Sequence, residues 1–431
     1  MAMVSLVLGA VMGLDAPAEA KALALVVGFS LIILGGPLAG ITVVFAALPL
    51  WMVQLHIGGT SWSPLELALM ACGSSVAVAA LVSLLSKRTL PVLATWLPER
   101  DLLVLVAALA ILGGLSLLWV AESDLRSDSM RSMRRVILEP LMVIPALVFA
   151  RRMGQERSIT NWLGIPAIAV ALLALAQIAG GRSTVDIGGF ARPIGTFTHP
   201  NNLAFYLERA IWFVPICPLV TRIGDKRIRT ALLGFVALAC LVTLSRGAAL
   251  ALLVGGCVFY REHLRRHRLM LPLVAVPVIV FAFGTRLLAD TSQSTGSREV
   301  IWRSAISMIR DRPFTGVGLD QFFGQYGRRY IDPAGWAERY TSHPHNIVLD
   351  FWLSLGIAGF AILWLYLELV YRRARASLAS APNTVHRAAV AMLLAGLAHG
   401  LIDNSFFLPD LATFAWIGFA LGIPQDIEHA A

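Results

Sequence analysis

Apolar runs about as long as a lipid bilayer is thick recur along nearly the whole sequence, separated by short polar segments. A helix needs about 20 apolar residues to cross the hydrocarbon core, and backbone groups inside lipid must pair within the helix. This pattern predicts an all-α polytopic membrane protein with about 12 transmembrane helices, in a single integral membrane domain over residues 1–431. The predicted spans are 22–54, 64–86, 101–120, 136–150, 161–180, 202–220, 230–244, 247–260, 269–288, 346–371, 385–402 and 409–424. Gly35-Gly36-Pro37 interrupts the first run, which forms either one kinked helix or two helices. In the second case the chain would have about 13 spans.

Lysine and arginine in short loops predict the orientation, because basic loops are retained on the cytoplasmic side. The basic segments assigned to the cytoplasm are Lys87-Arg88, Arg151-Arg152, Arg222 to Arg229, Arg261 to Arg268 and Arg372 to Arg375. The segments assigned to the outer side are 121–135, 181–201, 245–246, 289–345 and 403–408. The first of these is itself basic, and its outer assignment follows only from the alternation of the spans.

One outer segment, 289–345, is far longer than the other polar connections. Loops of more than about 15 residues are usually functional or disordered. Its apolar residues Trp302, Ile306, Met308 and Ile309 have helical spacing, which predicts an amphipathic helix on the bilayer or over the helix bundle. We interpret the segment as a large periplasmic loop within the membrane domain.

Composition excludes several classes of function. Hydrophobic residues make up 57% of the chain and charged residues only 14%, against about 25% in soluble domains. The net charge of +9 does not come with a soluble basic face, so nucleic acid is not expected as a partner. The four cysteines lie in apolar runs at wide spacing and are expected to pack, without disulfides or a zinc site.

Two arginines on the predicted outer side are candidates for binding an anion. Arg246 lies in a nearly loopless link between two apolar runs, and Arg192 lies in a turn-rich stretch that leads into a span. A guanidinium binds phosphate oxygens through a planar pair of hydrogen bonds. The alternative for Arg246 is an arginine that only reaches the membrane interface, and for Arg192 an ordinary loop charge. His199 and Asn201 follow Arg192 in the same stretch.

Histidine and aspartate supply the candidates for proton transfer. His345 opens a span on the outer side, and histidine accepts protons near neutral pH. His345 is the first candidate for a general base, and His343 is the second. The alternative for His345 is that it only caps the helix, a role that Asn346 would share. Asp403 closes a later span and would either orient a histidine, pair with an arginine or face water.

The His-x-His pair also raises the question of a metal. Two imidazoles close in sequence can bind one ion, but no cluster of carboxylates nearby in the sequence completes a divalent site. We therefore predict no metal and no other cofactor.

The ordered set of these motifs resembles the bacterial O-antigen ligases. His345-Asn346 followed by Gly356-Ile357-Ala358-Gly359 is similar to the histidine motif of that family, and Arg246 with Leu250 is similar to an arginine motif at the start of a span. The stretch from Arg192 to Asn202 resembles a second arginine-bearing outer loop, and the large loop before the histidine also agrees. The resemblance extends over about 180–424.

Membership of that family implies a glycosyltransferase of the GT-C type in the bacterial inner membrane, with its active site facing the periplasm. The implied donor is O-antigen polysaccharide on undecaprenyl pyrophosphate, and the implied acceptor is a sugar hydroxyl of the lipid A–core. His345 would be the general base, and Arg192 and Arg246 would bind the pyrophosphate in an inverting, metal-independent transfer. The residues expected to contribute to substrate binding are His343, Asn346, His199, Asn201, Asp403, Arg298 and Arg303.

Three alternatives remain open from the sequence. An O-antigen polymerase and a protein O-oligosaccharyltransferase would share the loop histidine and the arginines. A lipid-linked sugar transporter would instead bury ionisable residues in the middle of its spans and show repeat symmetry. The clustering of charged residues at one face argues against the transporter.

Overall fold

The computed structural model describes residues 18–57, 59–85, 98–120, 123–182, 184–187, 190–267, 292–379 and 383–423. The span predicted at 269–288 and the basic pair Lys87-Arg88 lie outside the described residues. All statements below refer to the described part of the chain.

Helices dominate this part of the chain, as the apolar pattern predicts. The α-helices, in chain order, are α1 Ala18–Ala47, α2 Pro64–Leu85, α3 Arg100–Ser116, α4 Ser123–Ser132, α5 Glu139–Leu141, α6 Val143–Arg152, α7 Glu156–Ile159, α8 Asn161–Gly180, α9 Pro200–Ala210, α10 Pro218–Arg222, α11 Lys226–Leu241, α12 Arg246–Phe259, α13 Arg261–Arg266, α14 Ser292–Asp311, α15 Phe322–Gln325, α16 Ile347–Ala379, α17 Thr384–Gly400 and α18 Pro409–Leu421. Short 3-10 helices are Leu48–Leu50, Leu117–Trp119, Ile211–Phe213 and Pro333–Glu338, and π-helical turns are Met133–Leu138 and Tyr326–Tyr330.

The predicted helical fold is confirmed in its main feature, and the structure adds two small hairpins that the apolar pattern does not predict. Strand β1 (Leu55–Ile57) pairs antiparallel with β2 (Thr60–Trp62), and β3 (Thr184–Ile187) pairs antiparallel with β4 (Phe190–Pro193). Val185 is opposite Arg192 in the second hairpin. Both hairpins are too short to carry a hydrophobic signal, and the second one fixes the backbone of the Arg192 stretch.

Five described stretches are long and apolar enough to cross a membrane: Val26–Leu50, Pro64–Leu85, Arg100–Trp119, Glu156–Gly180 and Ile347–Ser377. Two shorter apolar helices are Arg246–Phe259 and Pro409–Leu421. Other predicted spans are interrupted. The span at 202–220 consists of α9, a 3-10 turn and α10, which begins at Pro218, and the span at 136–150 begins in a π-helical turn.

Two long helices are kinked at glycines with positive φ. Gly36 in α1 has φ of 72°, which confirms the expected break in the first run. Gly356 in α16 has φ of 69°. A residue with a Cβ rarely adopts this backbone conformation, which explains why glycine is found at both kinks.

The main core is built from side chains of nearly all the long helices, with Trp416, Tyr206 and Phe45 among its largest buried members. The outer segment has a second, smaller core. Apolar residues of α14, including Ile301 and Met308, pack there with residues of α15 and of the first turns of α16. The helix predicted over 302–309 is therefore present. Of its predicted apolar residues, Met308 and Ile309 pack in this core, whereas Ile306 is 39% exposed.

Hydrogen bonds join the predicted outer segments to one another. The Ser129 hydroxyl donates to the carbonyl of Leu319 at 2.5 Å, and the Gln321 amide donates to the carbonyl of Leu125 at 3.0 Å. The segment 121–135, which the pattern predicts to be a loop, is mostly the helix α4. Its contacts with 319–321 agree with its assignment to the same side as the long outer segment.

The predicted cytoplasmic ends likewise contact one another. Arg372 pairs with Asp101 at 2.7 Å, and Arg387 pairs with Glu262 at 3.0 Å. Arg151 donates to the carbonyl of Ala420 near the end of α18. The polar segments of the described chain are thus sorted into two groups that match the two sides inferred from the loop charges.

Candidate active site

The Asp403 carboxylate is the centre of a hydrogen-bonded network that joins most of the predicted site residues. Its Oδ1 lies 2.7 Å from Nδ1 of His345 and 3.0 Å from Nε2 of His343. Its Oδ2 accepts from the Asn201 amide at 3.2 Å and lies 3.5 Å from an Arg298 guanidinium nitrogen. The side chain is only 2% exposed, whereas the two histidines are about one-fifth exposed. The carboxylate is thus fixed inside the protein, and both imidazoles reach solvent.

The backbone at the start of α16 holds His345 in an unusual conformation. His345 has φ of 51°, a region that residues with a side chain seldom occupy. Asn346 follows and caps the helix, because its Oδ1 accepts from the backbone N–H groups of Val348 and Leu349. Its amide also donates to the carbonyl of Leu401 at 3.0 Å. The capping role considered for His345 belongs to Asn346, and strain at such a position is typical of functional sites.

The two ring nitrogens of His345 have different surroundings. Nδ1 faces Asp403, so a neutral imidazole that donates there has its lone pair on Nε2. No described residue forms a hydrogen bond with Nε2. In His343, by contrast, Nε2 faces Asp403 and Nδ1 lies 3.0 Å from the Ser342 hydroxyl. His345 is therefore the better placed of the two to accept a proton from a substrate.

Arg192 extends the network toward α12. Its Nε donates to the carbonyl of Thr243 at 2.5 Å, and one terminal nitrogen donates to Oδ1 of Asn201 at 3.0 Å. Asn201 thereby connects Arg192 to Asp403. Gln177 in α8 fixes the following turn, since its Oε1 accepts from the N–H groups of residues 194 and 195.

Burial lowers the pKa of Arg192 to about 10, and its guanidinium still carries its charge at neutral pH. For Asp403, burial acts to raise the pKa, but the nearby His345 and the hydrogen bonds from both histidines outweigh it. The pKa of Asp403 is therefore held well below its ordinary value. The site combines a permanent cation, an ionised carboxylate and two imidazoles.

Arg246 is the first residue of α12, three residues after the carbonyl that Arg192 binds. Ser245 caps the helix by accepting from the N–H of Ala248 at 3.3 Å, and Leu244 turns the chain with φ of 54°. Arg246 is half-buried at this helix end. The Thr243–Arg246 turn thus brings the second arginine motif next to the first.

The remaining predicted residues divide into two groups. His199 caps α9, because its Nδ1 accepts from the N–H of Asn201 at 3.1 Å, so it supports the network from one side. Arg298 of α14 contacts Asp403. Arg303, one turn further along α14, forms an exposed ion pair with Glu299 at 2.5 Å instead, and the network around Asp403 does not include it.

The structure also assembles a set of possible metal ligands that is not evident from the sequence. One ligand atom each from His343, His345 and Asp403 lies within 4.8 Å of the others. The sequence offers all three residues as site candidates, but it does not show that Asp403, 58 residues beyond His345, lies beside both histidines. Two histidines and a carboxylate suit zinc or iron, although the guanidinium of Arg298 on the same carboxylate opposes an added cation.

A buried ionic cluster also went undetected in the sequence. Glu208 lies 2.7 Å from Arg209 and 2.6 Å from Nδ1 of His399, and all three side chains are almost completely buried. The expectation that charged residues cluster at one face is therefore incomplete. A signal was present, because Asn201 and Glu208 are two helical turns apart and give α9 a polar face.

Comparison with known proteins gives two matches. The O-antigen ligase family model matches residues 231–364, which include Arg246, Arg298 and His345. A curated O-antigen ligase from Salmonella typhimurium is 25% identical over 202 residues, corresponding to 42% of this chain and 49% of that protein. The chain thus spans about half the length of this curated relative. Both matches are to O-antigen ligases, the family that the motifs resemble, while Arg192 and Asp403 lie outside the range of the family model.

Proposed function

We propose that this member of the O-antigen ligase family is a glycosyltransferase. In the proposed reaction, O-antigen polysaccharide is transferred from undecaprenyl pyrophosphate to a sugar hydroxyl of lipid A–core. The observation that carries the proposal is the single network of Arg192, Asn201, Asp403 and His345, next to the turn that bears Arg246. It combines a base with cationic groups suited to a pyrophosphate, at one end of a bundle of apolar helices.

In the proposed mechanism, Nε2 of His345 accepts the proton of the acceptor hydroxyl. The freed oxygen lone pair forms the new bond to the anomeric carbon while the bond from that carbon to the pyrophosphate oxygen breaks. Undecaprenyl pyrophosphate leaves with the bonding electrons, and the single displacement inverts the anomeric centre. Asp403 holds the imidazole by its Nδ1 and stabilises the imidazolium that forms.

Arg192 and Arg246 have the role of stabilising the leaving group. Negative charge grows on the pyrophosphate as the glycosidic bond breaks, and cationic donors fixed beforehand favour that transition state. Arg192 is fixed by Thr243 and Asn201, so its orientation does not have to be created during the reaction. The two guanidinium groups do the work that a divalent cation does in other glycosyltransferases.

The proposed setting is the bacterial inner membrane, with the network on the periplasmic side. Two observations support this setting: the long apolar helices, and the separation of the polar segments into two groups. About 12 spans and a periplasmic loop over 289–345 complete the proposed topology.

The experiment that tests the function uses purified protein with lipid-linked O-antigen and lipid A–core. We expect ligated product without added ATP or metal, and none with His345→Ala at wild-type expression. His263→Ala, which changes an exposed histidine of α13, should retain activity. Elongated lipid-linked polymer without ligated product would favour a polymerase, and transfer to protein would favour an O-oligosaccharyltransferase.

A metal-dependent reaction is the alternative that the His343, His345 and Asp403 arrangement favours. Loss of transfer in EDTA, restored by zinc, would establish it in place of the arginine mechanism. Full activity of His345→Ala would contradict both forms of the proposal.

A further inference from the structure

A cluster of three buried ionisable residues lies within the helices, apart from the proposed active site. Glu208 and Arg209 lie in the last turn of α9, and His399 is the penultimate residue of α17. One Glu208 oxygen accepts from Arg209 at 2.7 Å and the other lies 2.6 Å from Nδ1 of His399. Each of the three residues is at most 2% exposed. Buried ionisable groups are costly in a membrane protein, so they are expected to have a function.

Phe205 contacts two members of the cluster. Arg209 donates to the Phe205 carbonyl oxygen at 3.0 Å. The ring of Phe205 packs against His399, with the ring centroids 4.4 Å apart. The arrangement is therefore specific in its hydrogen bonds and has fixed geometry.

The backbone of His399 supports the turn that carries Asp403. Its carbonyl accepts hydrogen bonds from the N–H groups of Ile402 and Asp403, both at 3.0 Å. The position of the carboxylate that holds His345 thus depends directly on the position of His399. On the opposite side, the second guanidinium nitrogen of Arg209 is buried without a partner among the described residues. Arg209 lines a small cavity together with Ser405, two residues beyond Asp403.

The imidazole of His399 also packs against the start of α12. A Cβ placed on Gly247 would lie 2.1 Å from the His399 ring, so only glycine permits this contact. Gly247 directly follows Arg246. One buried residue therefore reaches both parts of the site. The His399 side chain contacts the helix end that bears Arg246, and the His399 backbone carbonyl supports the turn that bears Asp403.

We propose that Glu208 and His399 are positioning residues that set the distance between Arg246 and the His345–Asp403 pair. The cluster ties α9, α12 and α17 together. Gly247 and His399 lie at the ends of α12 and α17 that approach the active site, and Glu208 lies two helical turns along α9 from Asn201. This inference rests on the proposed function, since it assigns the cluster a role in the same transfer reaction. The cluster does not touch substrate and acts only through Arg246 and Asp403.

The first test compares two glycines of α12. In Gly247→Ala the new methyl group pushes against His399, whereas in Gly255→Ala it pushes against Trp212, where a Cβ would lie at 2.3 Å. Both variants should lose thermal stability. Per folded molecule, we expect Gly247→Ala to reduce kcat and raise the donor KM, with a loss of kcat/KM on the order of 100-fold and an unchanged acceptor KM. Gly255→Ala should stay within a few fold of the wild type.

The second test asks whether the hydrogen bond to Glu208 is needed. His399→Asn retains a donor near the place of Nδ1, whereas His399→Leu keeps the volume and removes the donor. We expect Asn to restore most of the kcat that Leu loses, when both are compared per folded molecule. Equal activities of the two variants, or equal losses for Gly247→Ala and Gly255→Ala, would overturn the positioning role.

The two proposals fail in different ways. If the wild type itself forms no ligated product, the proposed function fails, and the positioning role that rests on it fails too. If the wild type transfers normally and only thermal stability responds to the variants, the proposed function stands and the cluster is structural.

Discussion

At the residue scale, Asp403 has the most partners within the site. Two histidines, Asn201 and Arg298 contact its carboxylate, and the N–H of Asn404 donates to Oδ1 at 2.9 Å. Such a group contributes both to stability and to activity, because the partners it orients would otherwise be left buried with unmet hydrogen bonds. Its contribution to stability has a definite dependence on pH.

We expect Asp403→Asn to lower the free energy of unfolding by about 1–3 kcal/mol at pH 7. The pKa of Asp403 in the folded protein lies well below its unfolded value of about 3.9. The carboxylate therefore stabilises the fold at every pH above that unfolded value, and this contribution is lost as the pH falls through the folded-state pKa. Thermal unfolding of the wild type and the variant, followed by intrinsic fluorescence at several pH values, measures the difference. A gap that widens below pH 4 would contradict the assignment.

The proposed binding of the pyrophosphate by Arg246 makes a separate prediction. Arg246→Lys keeps the positive charge but removes the planar pair of donors, so we expect transfer to fall on the order of 100-fold. Arg303→Lys provides the matched comparison, because Arg303 is exposed and pairs only with Glu299 in the described structure. The measurement is kcat/KM for the lipid-linked donor. Equal activity of the two variants would show that a point charge is enough at position 246.

Most individual members of the site could be recognised in the sequence, because each is an ionisable or amide residue at the end of an apolar run. Their connections could not be recognised. Asp403 and His345 are separated by 58 positions, and Arg192 binds a backbone carbonyl, Thr243, that has no signal in the sequence. The buried Glu208 was missed for a different reason, since hydropathy averages over a run and hides single charged residues.

At the scale of elements, the kink in α16 explains why glycine is required in the Gly356-Ile357-Ala358-Gly359 motif. The Leu353 carbonyl, three residues before Gly356, accepts from the N–H groups of Val317 at 2.8 Å and Gly318 at 3.2 Å. The outer segment is thereby attached to the helix that begins just after His345. The apolar run predicted α16. Only the structure shows that α16 is kinked at Gly356 and that the carbonyl freed near the kink binds the outer segment at Val317 and Gly318.

We expect Gly356→Ala to destabilise the protein more than Gly36→Ala does. Both glycines have positive φ, so each substitution costs about 1–3 kcal/mol in backbone strain. A Cβ at Gly356 would also lie 2.0 Å from the carbonyl oxygen of Phe314, whereas a Cβ at Gly36 would meet nothing within 4 Å. The excess loss should appear in the thermal midpoint and as faster proteolysis within 312–345. Similar behaviour of the two variants would mean that the attachment contributes little.

At the scale of the whole molecule, the two groups of polar contacts define two ends of the helix bundle. Loop charges predicted this division without any knowledge of the contacts, because retention of basic loops reflects insertion into the membrane and does not depend on packing. Hydropathy was less reliable for helix boundaries, since prolines and π-helical turns interrupt several of the predicted spans. The sequence therefore predicts which end of the bundle each polar segment belongs to better than it predicts where each helix begins and ends.

The orientation of these two ends can be measured by the accessibility of introduced thiols. Ser307 on α14 is exposed at the end that contains the active-site network, and Ser158 is exposed at the opposite end. Three of the four native cysteines are buried and shielded from the reagent, so replacing only the partly buried Cys257 gives a suitable background. We expect a membrane-impermeant maleimide to label Ser307→Cys in cells with a permeabilised outer membrane, and Ser158→Cys only after the inner membrane is also opened. In the proposed transfer the donor pyrophosphate and the acceptor sugar meet at the periplasmic face. Labelling in the reverse order would place the network on the other side of the membrane and exclude that transfer.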